Sequence, residues 1–126
     1  IDKCQSIKEQ SASEMNPVEE TLLAARCKAL GDPVRLRILG LLPKSPNCEY
    51  RNNVSQLSEI LGLTQPTVSH HLKVLKQAEL IYCKKMCRDV FYWIDDENAK
   101  AMLTHLDEAF SIGRDQPRLH ETSVRR

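Results

Sequence analysis

A stretch in the middle of the chain concentrates side chains that can hydrogen-bond to the edges of nucleic-acid bases. These residues are Thr64, Gln65, Thr67, Ser69, His70 and Lys73. Their amide, hydroxyl, imidazole and ammonium groups supply both donors and acceptors. Proteins read base edges in the major groove of DNA with this chemistry. The residue types therefore predict a DNA-binding surface, provided that one helix presents them together.

The surrounding sequence, Leu57 to Leu80, predicts two short amphipathic helices joined by a tight turn. Gly62 ends the first, because glycine accepts the left-handed conformation that follows a helix. Thr64 is the predicted N-cap of the second, and Pro66 lies in its first turn. The apolar stripe of this second helix consists of Val68, Leu72 and Leu75. The polar residues then lie on the opposite face, as in a helix-turn-helix motif.

A β-hairpin is predicted directly after these helices. Ile81 and Tyr82 begin one strand, and residues 90–94 form the other. The basic segment between the strands, from Lys84 to Arg88, is the predicted tip. A hairpin behind a recognition helix is a wing, so we expect basic side chains beside the DNA phosphates. These side chains are Lys84, Lys85 and Arg88.

Three further helices are predicted to complete the domain. One begins at Asn16-Pro17 and runs to about Leu30, with Cys27 as a small buried residue. The next runs from Pro33 to Leu42 and buries Leu36. Arg35 and Arg37 belong to this helix as solvated charges, with phosphate contact as the alternative.

The last helix begins at Asp95 or Asp96 and carries a broad apolar stripe. The stripe consists of Ala99, Met102, Leu103, Leu106, Ala109 and Phe110. Helix-turn-helix proteins commonly bind two half-sites as dimers, so we expect this helix and the first to form a dimer interface. The predicted fold is mainly α with a small β-hairpin: a winged helix-turn-helix that dimerises through its first and last helices. Residues 1–15 are a predicted flexible arm, 16–112 the domain and 113–126 a polar tail.

The overall composition limits how the chain can attract DNA. Its 126 residues carry a formal net charge of only +1, so DNA binding must rest on a local basic patch. Between Thr64 and Arg88 there are five positive residues and one negative residue, Glu79. No apolar run is long enough for a membrane span, and no signal-peptide pattern begins the chain. Five cysteines, an odd number, favour free thiols in the cytoplasm over a disulfide framework.

Three segments together resemble the ArsR/SmtB family of bacterial winged-helix repressors. They are ALGDPVRLRILGLL, VSQLSEILGLTQPTVSHHLKVLKQAELI and VFYWID. The resemblance extends from about Ala29 to the end of the last helix. It implies a homodimer that represses its own operon and leaves double-stranded operator DNA when an effector binds. The effector is often a metal ion or arsenite, and no obligatory cofactor is implied.

Two metal sites found in that family are predicted to be lost. The places of a Cys-Val-Cys pattern are held here by Asn53, Val54 and Ser55. For a second site on the last helix, Asp96 fits, but Asn98 and Ala109 stand where histidines would be. An effector must therefore use other residues.

Cys83 and Cys87 in the wing are the remaining candidates. Cys87 stands where the family commonly carries a glycine, which indicates that the cysteine is present for the chemistry of its sulfur. Thiolates bind arsenite and soft metal ions, and a third ligand would come from Cys48, Cys4 or a second subunit. The opposing interpretation is two incidental thiols.

Other functions remain open at this stage. The same cysteines could sense oxidants or reactive sulfur species, and a winged helix can also be a protein-interaction module. An enzyme is not predicted, because Ser69, His70 and His71 are adjacent on one helix and form no nucleophile–base set. His71 is predicted to be a partly buried structural histidine.

Overall fold

The computed structural model describes residues 16–46, 52–86 and 88–110. The described part contains five helices and one antiparallel hairpin, which confirms the predicted fold class. The elements in chain order are α1 (Pro17–Leu30), α2 (Pro33–Leu41), α3 (Val54–Leu61), α4 (Gln65–Gln77), β1 (Ile81–Met86), β2 (Asp89–Ile94) and α5 (Asp96–Phe110). The predicted arm and tail lie outside the described residues and stay predictions. None of the described helices is both long and apolar enough to span a membrane.

The predicted helix starts are confirmed by their capping hydrogen bonds. Asn16 Oδ1 accepts from the amide of Glu19 at 2.8 Å, and the Asn16 amide donates to the Glu19 carboxylate at 2.9 Å. This reciprocal pair is a capping box. Asp32 caps α2, and Asp95 accepts from the Asn98 amide at the start of α5. The caps fix where these helices begin.

The turn between α3 and α4 has the predicted geometry. Gly62 adopts φ 69° and ψ 32°, the left-handed conformation, and its amide bonds back to the last turn of α3. Thr64 then caps α4, and its hydroxyl lies 2.8 Å from that of Thr67. These interactions fix where α4 begins, and the residues of its first turn are exposed.

The core lies where α2, α3 and α4 meet. Its fully buried apolar side chains are Ile38, Leu57, Val68, Leu72 and Leu75. The second predicted helix of the motif therefore buries the expected stripe. α1 packs on α4, and α1 and α5 contact each other at the edge of the domain.

Two predicted core positions are wrong. Cys27 is exposed, and Leu36 is 54% exposed. The buried stripe of α1 instead runs through Leu23, Arg26 and Ala29. A buried arginine rotates the helix away from the face that the apolar pattern indicated, and Arg26 is buried because it binds the end of α4.

The position of the wing tip is also corrected. Lys84 and Lys85 belong to β1, where they pair with Phe91 and Val90. The strands continue to the pair of Met86 with Asp89, so the turn is shorter than predicted. Cross-strand pairing extends the strand through polar residues that looked like a turn in the sequence.

Candidate nucleic-acid interface

The six predicted contact residues of α4 and its cap are all exposed. They are Thr64, Gln65, Thr67, Ser69, His70 and Lys73. Residues three and four apart share one side of a helix, so the exposed surface of α4 divides into two stripes. The wing-side stripe consists of Gln65, Ser69, Lys73 and Lys76. The α1-side stripe consists of Thr67, His70, Val74 and Gln77. The surface is available for base contacts, and the role of each residue stays a prediction.

The wing adds positive charge on one flank of α4. Lys84, Lys85 and Arg88 are exposed. Arg88 adopts φ 70° in the turn, so the left-handed residue described there is an arginine. Cys87, the neighbouring residue where a glycine was expected, lies outside the described residues, as do Cys4 and Cys48. The predicted cysteine set is therefore described at Cys83 alone.

Cys83 lies on β1, the strand that contacts α4. A hydrogen bond with the Cys83 sulfur and the charge interaction with it raise the pKa of Lys76, against the smaller effect of burial. Cys83 is half-buried on β1 and lines a 370 Å³ cavity with Lys76, Tyr82 and Asp95. Among the described residues, no three potential metal ligands come together. The structure thus places one wing thiol beside α4. The described residues alone do not form a metal site.

The wing is anchored by two buried asparagines that the sequence reasoning did not assign. Asn52 Nδ2 donates to the carbonyl of Tyr92 at 2.8 Å, and the Tyr92 amide donates to the Asn52 carbonyl at 3.1 Å. Asn53 caps α3 and donates to the Asp89 carboxylate at 2.8 Å. Asn53 occupies a place where a family metal site has cysteine, and here it is a structural link. The Asn-Asn pair before a helix was the available signal.

Two arginines hold α4 from the opposite side. Arg35 Nη1 lies 3.1 Å from Nδ1 of His71, and its Nε donates to the Ala29 carbonyl. This half-buried pair confirms His71 as structural and shows that Arg35 is not a freely solvated charge. Arg26 Nε donates to the Ala78 carbonyl at 3.0 Å, and Nη2 lies 3.4 Å from Glu79. The middle and the C-terminal end of α4 are therefore fixed by side chains from neighbouring elements.

Comparisons with known proteins agree with this geometry. Residues 32–82 match the model of a family described as bacterial regulatory protein, arsR family. The chain is 35% identical to the HTH-type transcriptional repressor SmtB of Mycobacterium tuberculosis over 101 residues, 79% of this chain and 70% of the relative. It is 31% identical to a cadmium resistance transcriptional regulatory protein CadC homolog of Staphylococcus aureus, over 89% of each chain.

A solved structure supports the fold independently. It is a homodimeric winged helix-turn-helix DNA-binding domain of Mycobacterium bovis, with a TM-score of 0.57 and 20% identity. The match covers 83% of this chain and 99% of that one. The matched family and relatives are transcriptional regulators rather than enzymes, which confirms that prediction.

Proposed function

The chain belongs to the arsR family of bacterial regulatory proteins, and we propose that it represses transcription by binding operator DNA as a homodimer. The observation that carries this proposal is the exposed face of α4. Its hydrogen-bonding side chains project from a helix whose turn, cap and packing are those of a major-groove reader. The basic wing supplies phosphate contacts beside it.

Dimerisation is supported by apolar side chains that the single chain leaves exposed. Val18 on α1 is 76% exposed, and Leu103 and Phe110 on α5 are 65% and 64% exposed. Val18 is on α1, Leu103 and Phe110 are on α5, and these two helices contact each other. Large exposed apolar side chains in one region are typical of an interface. A second copy is the proposed partner, as in the homodimeric structure of the same fold.

We further propose that a thiol-reactive effector, arsenite or a soft metal ion, releases the operator. Support comes from the position of Cys83 beside Lys76 in one cavity, because a ligand on this sulfur would displace the ammonium group of α4. Cys87 and Cys48 are the proposed further ligands, and thiolates suit soft ions. The cadmium resistance relative supports this class of effector.

A redox mechanism is the second candidate, and a specific observation favours it. Oxidation or persulfidation needs only one accessible thiol, and Cys83 is partly exposed. Modification of Cys83 by an oxidant or polysulfide would also disturb Lys76. The two mechanisms share the release step and differ in the chemistry at sulfur.

Binding to DNA upstream of the gene, measured by gel shift, tests the proposal. The wild type should bind this DNA more tightly than a shuffled duplex and release it when arsenite, Cd(II), Zn(II) or polysulfide is added. Cys83→Ser should stay bound, whereas Cys27→Ser, which removes an exposed thiol on α1, should respond as the wild type does. Equal release of the Cys83→Ser variant would contradict the sulfur mechanism.

Mass spectrometry of the released protein separates the two mechanisms. A retained metal or metalloid supports the ligand mechanism, and a reversible disulfide or polysulfide supports the redox mechanism. A wild type that prefers no duplex would instead favour a protein-interaction module.

A further inference from the structure

In addition to the basic wing, a groove with basic side chains borders α4 on the side away from the wing, and we call it the second basic groove. The groove has a volume of about 380 Å³. Its walls consist of Ala25, Lys28, Ala29, Arg35, His70, Val74, Gln77 and Ala78. These residues come from α1, α2, α4 and the residue that follows α4. Half of the lining residues are alanine or valine. The charged side chains of the lining are Lys28 and Arg35, without a carboxylate, so the groove favours an anion over a cation.

One of the two positive charges of this groove has no ion pair among the described residues. Lys28 is exposed in the last turn of α1, and no described carboxylate forms an ion pair with it. Arg35 lies along the wall, fixed by Ala29 and His71. The neighbouring carboxylate of Asp32 is engaged by the amides at the start of α2. A positive side chain that pairs with no carboxylate of the described residues therefore lies next to α4.

The dimensions of DNA indicate what this groove meets. The major groove is about 12 Å wide, and a helix with its side chains is about 10–12 Å across. A helix inserted there has phosphates on both flanks. The wing and the wing-side stripe of α4 supply cations on one flank. On the other flank, the second basic groove supplies Lys28 and Arg35.

We propose that the second basic groove binds a backbone phosphate of operator DNA, with Lys28 as the principal contact and Arg35 and Gln77 beside it. This inference rests on the proposed function and adds a phosphate contact from α1, outside the helix-turn-helix and the wing. The contact is independent of sequence, because a phosphate carries no base information. This phosphate contact fixes the angle at which α4 enters the major groove, because it lies on the flank opposite the contacts of the wing.

The salt dependence of DNA binding tests this assignment directly. Each phosphate contact contributes about 0.9 to the slope of log K against log salt concentration. For Lys28→Gln, we expect the slope to fall by about 0.9 for each protomer bound. The affinities for operator and shuffled duplex should fall by the same factor. Lys28→Arg should retain the wild-type slope, because it keeps the charge.

Lys44→Gln is the matched control. Lys44 is an exposed lysine next to Pro43, whose carbonyl accepts from Ile94 at the base of the hairpin, far from its turn. Its slope should equal that of the wild type. Gln77→Glu places a carboxylate in the second basic groove and should weaken binding to both duplexes. It serves as a second variant if Lys28→Gln fails to fold.

Several results would overturn the proposal. An unchanged slope for Lys28→Gln, or a loss confined to the operator, would show that the groove contacts no phosphate of the backbone. Competition by millimolar inorganic phosphate at constant ionic strength, abolished by Lys28→Gln, would identify a free-anion site instead. A failure of the proposed function is seen separately, as a wild type that does not distinguish operator from shuffled duplex.

Discussion

Gly62 is the residue whose backbone conformation determines how α4 leaves α3. Its φ of 69° lies in the left-handed region, and an added Cβ would meet nothing within 4 Å. The expected effect of Gly62→Ala is therefore backbone strain alone, lowering the free energy of unfolding by about 1–2 kcal/mol. Chemical denaturation measures this change.

Gly40 provides the comparison for Gly62. It lies within α2, where an added Cβ also meets nothing within 4 Å and φ is not positive. Gly40→Ala should raise the free energy of unfolding by up to about 1 kcal/mol, because alanine is the better helix former. If both substitutions changed the free energy of unfolding in the same direction, the left-handed conformation would not be the reason that position 62 needs glycine.

Asp32 gives the chain a pH-dependent stability. Partial burial acts to raise the pKa of this carboxyl. The amides of Val34 and Arg35 and the nearby charges of His71 and Arg35 outweigh burial and hold the pKa below its usual value of 3.8. A pKa lowered by folding stabilises the protein above that value, and the contribution is lost as pH falls through the folded-state pKa.

The prediction for Asp32 concerns the shape of the pH profile. Asp32→Ala should be less stable than the wild type at neutral pH, and the difference should narrow as pH falls below about 4. Asp32→Asn keeps a capping oxygen and should lose the charge-dependent part alone. Thermal unfolding between neutral and acid pH measures this. A difference that is constant across pH would refute the assignment.

Residue-scale predictions from the sequence succeeded where the signal is local. Asn16, Gly62 and Thr64 have their predicted roles because capping and turn geometry involve residues within four positions. The burial of Arg26 could not be predicted, because its partner, the Ala78 carbonyl, is 52 positions away. The error at Cys27 followed from this, since the apolar pattern does not reveal a buried polar contact.

At the scale of elements, Arg26 links α1 to the end of α4. Its side chain is 3% exposed, whereas that of Glu79 is 63% exposed. The hydrogen bond to the Ala78 carbonyl should therefore matter more than the ion pair. Arg26→Met leaves that carbonyl without its donor, and the free energy of unfolding should fall by about 1–3 kcal/mol.

Glu79→Gly separates the two contacts of Arg26. Glu79 adopts φ 60°, so glycine relieves strain of about 1–2 kcal/mol while losing an exposed ion pair worth about 0–1 kcal/mol. This variant should be at least as stable as the wild type. Loss of stability equal to that of Arg26→Met would show that the ion pair, rather than the helix end, is the important contact.

The helix-turn-helix could be predicted as an element, but the details of the wing could not. α3 and α4 carry their turn, cap and apolar stripe in one continuous segment. The length of β1 depends on pairing Lys84 and Lys85 with Phe91 and Val90. The docking of the wing depends on Asn52 and Asn53, which precede their partners Tyr92 and Asp89 by 40 and 36 positions. Such nonlocal contacts leave no periodic signal.

At the scale of the whole molecule, the edge formed by α1 and α5 is the proposed dimer interface. Leu103→Glu places a charge among exposed apolar side chains of that edge, so the variant should sediment as a monomer and lose operator affinity. Leu36→Glu is the matched control, because Leu36 is also more than half exposed but lies on α2. A Leu103→Glu variant that sediments as a dimer would contradict this interface.

The central claim is that the exposed face of α4 reads the operator. The most direct measurement is the ratio of dissociation constants for operator and shuffled duplex, by fluorescence anisotropy at one salt concentration, for the wild type, Gln65→Ala and His70→Ala. If Gln65 and His70 contact base edges, each substitution should weaken operator binding by about 1–3 kcal/mol and leave binding to the shuffled duplex nearly unaffected. An unchanged ratio in both variants would contradict the account.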